Sequence, residues 1–359
     1  MSPQPKLGIS AIKAYVPGRA RADGYEMPIK LSANENPFGC SDKARDAFLA
    51  TAREIHLYPD SHTSALRAAL AAKHHLEPAR LVFGAGSDEI FAMIAQAYLG
   101  VGDNAVQPQY GFAAWSIIVR AAGGEMRSAP ERNFVVDVDA LLAAIDAQTR
   151  VVFLANPANP TGTLLPFGEV ERLHTALPAN VLLVLDGAYA ECAAGLNGFT
   201  DGLDWARDKP SVIVTRTFSK AYGLASLRVG WAYAPEPVAS VLNRIRLPFS
   251  VPRAGEAAAV AALADDAFVK RTVAHFAEGR RILAEGLTQL GLITLPSATN
   301  FVTARFGDAQ AMEDELARGG VLVRRLHTYD MPDWLRITVG TPSEIERVLA
   351  ELTAILGPG

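Results

Sequence analysis

Three short apolar runs constrain this chain more than any other feature: Val151-Val152-Phe153-Leu154, Val181-Leu182-Leu183-Val184-Leu185 and Ser211-Val212-Ile213-Val214-Thr215. Uninterrupted apolar runs of this length suit strands buried on both faces, as in a parallel sheet covered by helices. Val170, Leu173 and Leu177 keep helical spacing between the first two runs, so the segment reads strand, helix, strand. Each run leads into polar residues. The first meets Asn156-Pro157-Ala158-Asn159-Pro160-Thr161-Gly162, the second Asp186 with Tyr189 three residues on, and the third Thr217-Phe218-Ser219-Lys220. Parallel sheets gather ligands beyond the carboxyl ends of their strands. The fold class is therefore α/β with a mostly parallel sheet, delivering Asn159, Asp186 and Lys220 to one crevice.

At 359 residues the chain exceeds the size at which one core usually keeps growing, and two domains are expected. Residues 1–30, punctuated by Pro and Gly, read as an arm, 31–250 as a large α/β domain, and 251–359 as a linking helix and smaller α/β domain. The linking helix is expected from about Ala254 to Leu290. Beyond it come a strand near 299–306, a helix near 308–318, strands near 321–324 and 334–339, and a helix near 342–356. Thr341-Pro342-Ser343-Glu344 is a capping box with proline at the first helical position.

A net charge of -4 without a basic run gives no reason to expect nucleic acid. Cys40 and Cys192 are too few for a disulfide framework and fit a reduced setting. The N-terminus lacks an apolar signal core, and no apolar stretch approaches membrane-spanning length. A soluble cytoplasmic protein is expected. The scattered histidines offer no metal-ligand pair beyond the adjacent His74-His75, so no metal is expected.

A lysine ending a buried strand, flanked by hydroxyls and followed eight residues later by Arg228, suits an anionic carbonyl cofactor. Pyridoxal 5'-phosphate (PLP) needs an amine for a covalent link, and donors plus a permanent cation for its phosphate. Asp186 suits the pyridine nitrogen, and Tyr189 and Asn159 the phenolic oxygen. Singly, Asp186 also reads as a cap, Asn159 as a turn residue and Tyr189 as core; their coincidence at matching strand ends favours PLP. Gly84-Ala85-Gly86-Ser87-Asp88-Glu89 follows the strand Leu81-Val82-Phe83 and opens a helix, whose free amides make an anion site. Ser87 equally suits the helix cap. Tyr110, after Val106, suits either stacking on the pyridine or the core. Arg336, inside the alternating strand Trp334–Gly340, needs either an acid partner or an anionic substrate. Arg324 and Arg325 offer a second cation.

These residues resemble those of fold-type I PLP-dependent aminotransferases over nearly the whole chain, and more narrowly the histidinol-phosphate aminotransferases. The carriers are Leu31-Ser32-Ala33-Asn34-Glu35-Asn36-Pro37-Phe38-Gly39, Tyr58-Pro59-Asp60, Asn159-Pro160-Thr161-Gly162, Asp186 with Tyr189, Thr217 through Leu224, Leu227-Arg228-Val229-Gly230, and Leu335 through Gly340. The resemblance implies a large domain with a mostly parallel seven-stranded sheet, catalysis by Lys220, Asp186 and Tyr189, and a covalent link at Lys220. Ser219, Arg228 and the amides near Ser87 and Asp88 would hold the cofactor phosphate. Tyr58 would reach the phosphate of a neighbouring subunit, which implies a homodimer. Arg336 would take the α-carboxylate of glutamate or a substrate phosphate, with Arg324 as helper, and Asn36 would face the substrate. Ser250, Asp330 and Gly187 depart from common family residues, and Asp330 would weaken phosphate binding if it pointed inward. Related readings are an aromatic amino acid aminotransferase, a threonine-phosphate decarboxylase type and a non-catalytic binding protein.

Overall fold

The computed structural model describes residues 3–6 and 8–357. The apolar runs form the centre of a seven-stranded sheet of β1 (Leu81–Ala85), β2 (Asn104–Pro108), β3 (Glu125–Ala129), β4 (Thr149–Ala155), β5 (Leu182–Asp186), β6 (Val212–Thr217) and β7 (Val229–Tyr233). The order is β3-β2-β4-β5-β6-β7-β1, and only β7 runs antiparallel to its neighbours. Alternate residues enter separate cores. Leu154, Leu183, Leu185 and Val214 pack on one face, and Val151, Phe153, Val184 and Ile213 on the other. Burial on both faces is why these strands read as continuous apolar runs.

The register aligns the strand ends. Ala155 pairs with Asp186, and Asp186 with Thr215, so the loops after β4, β5 and β6 leave the sheet at one level.

A second, antiparallel sheet comprises β8 (Ile293–Thr294), β9 (Phe301–Arg305), β10 (Arg324–Leu326) and β11 (Met331–Thr338), in the order β8-β9-β11-β10. Helix Asp266–Gln289 and helix Pro342–Leu356 cover it through Phe276, Leu283, Leu287, Val348 and Leu352. The capping box at Thr341 and Glu344 is formed. The single linking helix expected from about 254 to 290 is instead two helices, Arg253–Leu263 and Asp266–Gln289. Asp265 separates them because its side chain accepts from the amide of Phe268 at 3.3 Å and starts the second. The first packs on the large-sheet core through Ala258, Ala259 and Leu263.

The strand expected near 321–324 also divides. Val321–Leu322 pairs in parallel with Ile29–Lys30, while Arg324–Leu326 joins the second sheet. The amide of Leu31 then donates to Leu322 O at 2.7 Å, and that of Thr338 to Leu31 O at 2.9 Å. Residues 29–34 are thereby strapped to the second sheet and run into the site. Residues 1, 2 and 7 of the expected arm lie outside the described residues.

Gly230 of β7 passes so close to the turn after β1 that a Cβ would lie 2.3 Å from both the Gly86 carbonyl carbon and the Ser87 nitrogen. Gly230→Ala should therefore destabilise the chain by about 1–3 kcal/mol, the usual cost of overpacking, measured by urea denaturation. An unchanged midpoint would contradict so tight an approach.

Candidate active site

The aligned strand ends surround a cavity of about 160 Å³. Asn159, Asp186, Tyr189, Ser219, Lys220 and Arg228 line it, with Ser87 and Asp88 at the opposite wall. Asp186 is 6% exposed. Its Oδ1 accepts from Thr215 Oγ1 and from the amide of Ala188, both at 3.1 Å. Burial outweighs these bonds and pushes the carboxyl up to about 6. Lys220 Nζ makes only a long 3.4 Å contact with Ala33 O and lies 5.9 Å from the Tyr189 ring centre. Burial, then the positive charge of Arg336, lowers its pKa to about 8. An appreciable fraction of this amine is thus unprotonated near neutral pH, as a nucleophilic lysine requires.

The opposite wall is an anion cradle. Helix Ser87–Tyr98 begins here, and its first-turn amides lack intrahelical partners. Gly86, not Ser87, is the N-cap residue, and it has φ 79°. Arg228, itself left-handed at φ 51°, donates from Nη1 to Ser219 Oγ at 3.3 Å and from Nη2 to Asp88 Oδ2 at 3.3 Å. A Cβ on Gly86 would come within 2.2 Å of Arg228 Nη2, so glycine keeps guanidinium and helix start together. An amine, a buried carboxylate and an arginine-backed amide cradle across one cavity are the donor set that PLP requires.

Three expected residues, Tyr110, Asn36 and Arg324, are not in the cavity lining. Tyr110 does not line the cavity: its ring stacks on Phe134 at 5.3 Å, its amide donates to Glu131 Oε1 at 3.1 Å, and Phe112 occupies the wall instead. Asn36 spends its amide on the main chain, donating to Ala221 O and accepting from the Phe38 amide, both at 3.0 Å. Tyr58, expected at the phosphate of a neighbouring subunit rather than in this cavity, is 78% exposed and stacks on Phe249 at 4.6 Å. Arg324 is buried in the second sheet, in register with Arg336, which reaches the cavity lining through Asn159. Asp330 is exposed in a left-handed turn, φ 57°, and is not buried among the arginines.

Arg336 donates to Asn159 Oδ1 at 2.6 Å and to Ser32 O at 3.3 Å, while its Nε has no hydrogen-bond partner among the described residues. Arg324 donates to Val16 O at 2.6 Å. Sequence reasoning gave no role to Phe112 or Thr215, and treated Asn34 only as part of a motif. Asn34 reaches the site from 155 positions before Tyr189, whose hydroxyl it contacts at 2.8 Å.

The raised pKa of Asp186 has a sign that can be checked. A carboxyl whose folded pKa exceeds its unfolded value loses stability as pH rises through that interval, here from 3.8 to about 6. Asp186→Asn should therefore stabilise the cofactor-free protein at pH 7–8 by about 1–3 kcal/mol while cutting turnover of the loaded enzyme by about 100-fold or more. Thermal unfolding without cofactor and steady-state kinetics with it check both halves. A lower melting temperature would show that Asp186 supports the empty fold.

The sequence profile described as aminotransferase class I and II matches residues 26–352. Histidinol-phosphate aminotransferase 1 of Caulobacter vibrioides is 49% identical, covering 98% of this chain and 99% of that protein. The histidinol-phosphate aminotransferase of Maricaulis maris is 45% identical, over 99% of each. Among solved structures, the histidinol-phosphate aminotransferase of Sinorhizobium meliloti, in complex with pyridoxal-5'-phosphate, has a TM-score of 0.90 at 31% identity, covering 98% of this chain and 97% of that one. With the strand-end lysine, buried aspartate and arginine cradle in place, the chain belongs to the class I and II aminotransferases, in their histidinol-phosphate aminotransferase branch.

Proposed function

We propose that this chain transfers an amino group reversibly from L-glutamate to imidazole acetol phosphate, yielding 2-oxoglutarate and L-histidinol phosphate in histidine biosynthesis, with PLP held on Lys220. The observation that carries the substrate reading is a pair of buried guanidiniums. Arg324 and Arg336 are cross-strand neighbours on β10 and β11, 4% and 6% exposed, and neither forms an ion pair among the described residues. Two buried cations without an acid are costly unless an anion completes them. One suits a carboxylate; two suit a dianionic phosphate.

When bound, the cofactor supplies a carbonyl for the amino group and a ring that accepts the electron pair released as the α-proton leaves. The chain's residues do the rest. Asp186 sets a buried carboxylate against the pyridine nitrogen and holds a proton there. The Arg228–Ser219 cradle fixes the phosphate. Arg336 orients the substrate anion, and through Asn159 Oδ1 it also fixes the amide that serves the phenolic oxygen. Lys220 Nζ carries the proton from the substrate carbon that bears nitrogen to the carbonyl carbon of the cofactor and back.

A homodimer fits the surface. Ile55, Leu57 and Tyr58, between 50% and 85% exposed, form an apolar patch with the Tyr58–Phe249 stack. A second copy would cover it, with Tyr58 reaching the partner's phosphate cradle. Ile55→Asp should shift sedimentation toward monomer; an unchanged dimer would place the interface elsewhere. Free Cys40 and Cys192 suit a reduced, cytoplasmic setting.

The two arginines separate the substrate readings. Arg336→Met should lower kcat/KM for histidinol phosphate and for glutamate by about 10–100-fold. Arg324→Met should lower it about tenfold for histidinol phosphate and little for glutamate. Equal effects on both, or a preference of the unaltered enzyme for phenylalanine or tyrosine, would favour an aromatic amino acid aminotransferase.

A further inference from the structure

The strap at residues 32–34 touches three site side chains from outside the parallel strands. Ser32 O accepts from Arg336, Ala33 O from Lys220, and Asn34 Nδ2 donates to Tyr189 Oη at 2.8 Å. Asn34 is 1% exposed, left-handed at φ 56°, and held on three sides. Its amide N–H donates to Thr338 Oγ1 at 3.0 Å, Thr338 Oγ1 donates back to Asn34 Oδ1 at 3.2 Å, and Asn34 O accepts from Asn300 Nδ2 at 3.0 Å. The Thr338 contact fixes the side-chain amide with its NH₂ toward Tyr189, because Oδ1 is already engaged. Tyr189 is itself buried, its ring edge on Phe301 at 5.5 Å.

We propose that Asn34 is a positioning residue that directs the Tyr189 hydroxyl proton at the cofactor's phenolic oxygen, linking the second sheet to the electronic state of the bound cofactor. The inference rests on the PLP reading above. A hydroxyl whose oxygen already accepts a bond from an amide presents its proton elsewhere, and chained bonds of this kind strengthen one another. With Asn34 and Phe301 on two sides, the cavity is where that proton finds an acceptor. A donor to the phenolic oxygen favours its charged form. It would therefore lower the pH at which the Lys220 nitrogen, once joined to the cofactor, loses its proton, a change visible in the absorbance of the bound cofactor. Because Thr338 lies two residues from Arg336 on β11, movement of that strand would register at the substrate arginine and at Tyr189 together.

The test is a pH titration of cofactor absorbance in a double-mutant cycle of Asn34→Gly and Tyr189→Phe. Glycine keeps the left-handed backbone and the main-chain bonds of residue 34 while deleting the donor. Asn34→Gly should raise the absorbance midpoint by about half a pH unit, and should add nothing in the Tyr189→Phe background. Thr338→Val, which frees the amide without emptying position 34, should raise it by less and likewise only when Tyr189 is present. An equal shift with and without Tyr189 would reveal general loosening and overturn the proposal, as would no shift with Tyr189 intact. The unaltered chain must first show a titrating cofactor band; its absence overturns the cofactor reading and this inference together.

Discussion

The lateral register of three parallel strands is the constraint on which the rest depends. Backbone pairing of Ala155 with Asp186, and of Asp186 with Thr215, brings three loops out of the sheet at one height. A slip of one residue would turn every side chain of a strand to the other face, moving Asp186 and its apolar neighbours together. The two cores that grip alternate residues forbid that slip, each buried aliphatic contributing on the order of 1.5–3 kcal/mol. The geometry of the site is thus fixed by packing far from the chemistry.

Against that rigid frame, the site holds groups that the fold alone would not favour. A buried carboxylate and a half-buried amine with lowered pKa line one cavity, and two buried guanidiniums lie on the strands beside it. Each is costly until a complementary charge arrives. On the proposed reading, a pyridine nitrogen would answer the carboxylate, a phosphate the cradle, and a substrate anion the arginines. Stability withheld from the empty protein becomes binding energy for cofactor and substrate. The N-terminal strap completes the arrangement, since residues 32–34 bind the second sheet on one side and Arg336, Lys220 and Tyr189 on the other.

Much of this was legible in the sequence because it is local. Continuous apolar runs marked strands buried on both faces, and the polar residues after them marked the crevice. The Thr341–Glu344 box marked a helix start that the structure keeps. What escaped depends on long-range placement. Tyr110 and Phe112 share one turn, and the choice between them falls to Phe134, in a hairpin that no sequence signal announced. The pairing of Arg324 with Arg336 depends on an antiparallel register interrupted after Arg325. The break at Asp265 was hidden because apolar spacing continues through it. Asn34 meets Tyr189 only because the strap pairs with Val321–Leu322 and is drawn onto the second sheet at Thr338.

The central claim is that this cavity and its arginine pair serve histidinol phosphate. The most direct measurement is single-turnover absorbance of the PLP-loaded protein mixed with L-histidinol phosphate, L-phenylalanine, L-tyrosine or L-threonine phosphate. The account predicts that histidinol phosphate drives conversion of the cofactor to its amino form at far lower concentration than the other three. Faster conversion by phenylalanine or tyrosine would contradict the substrate assignment while leaving the aminotransferase machinery in place.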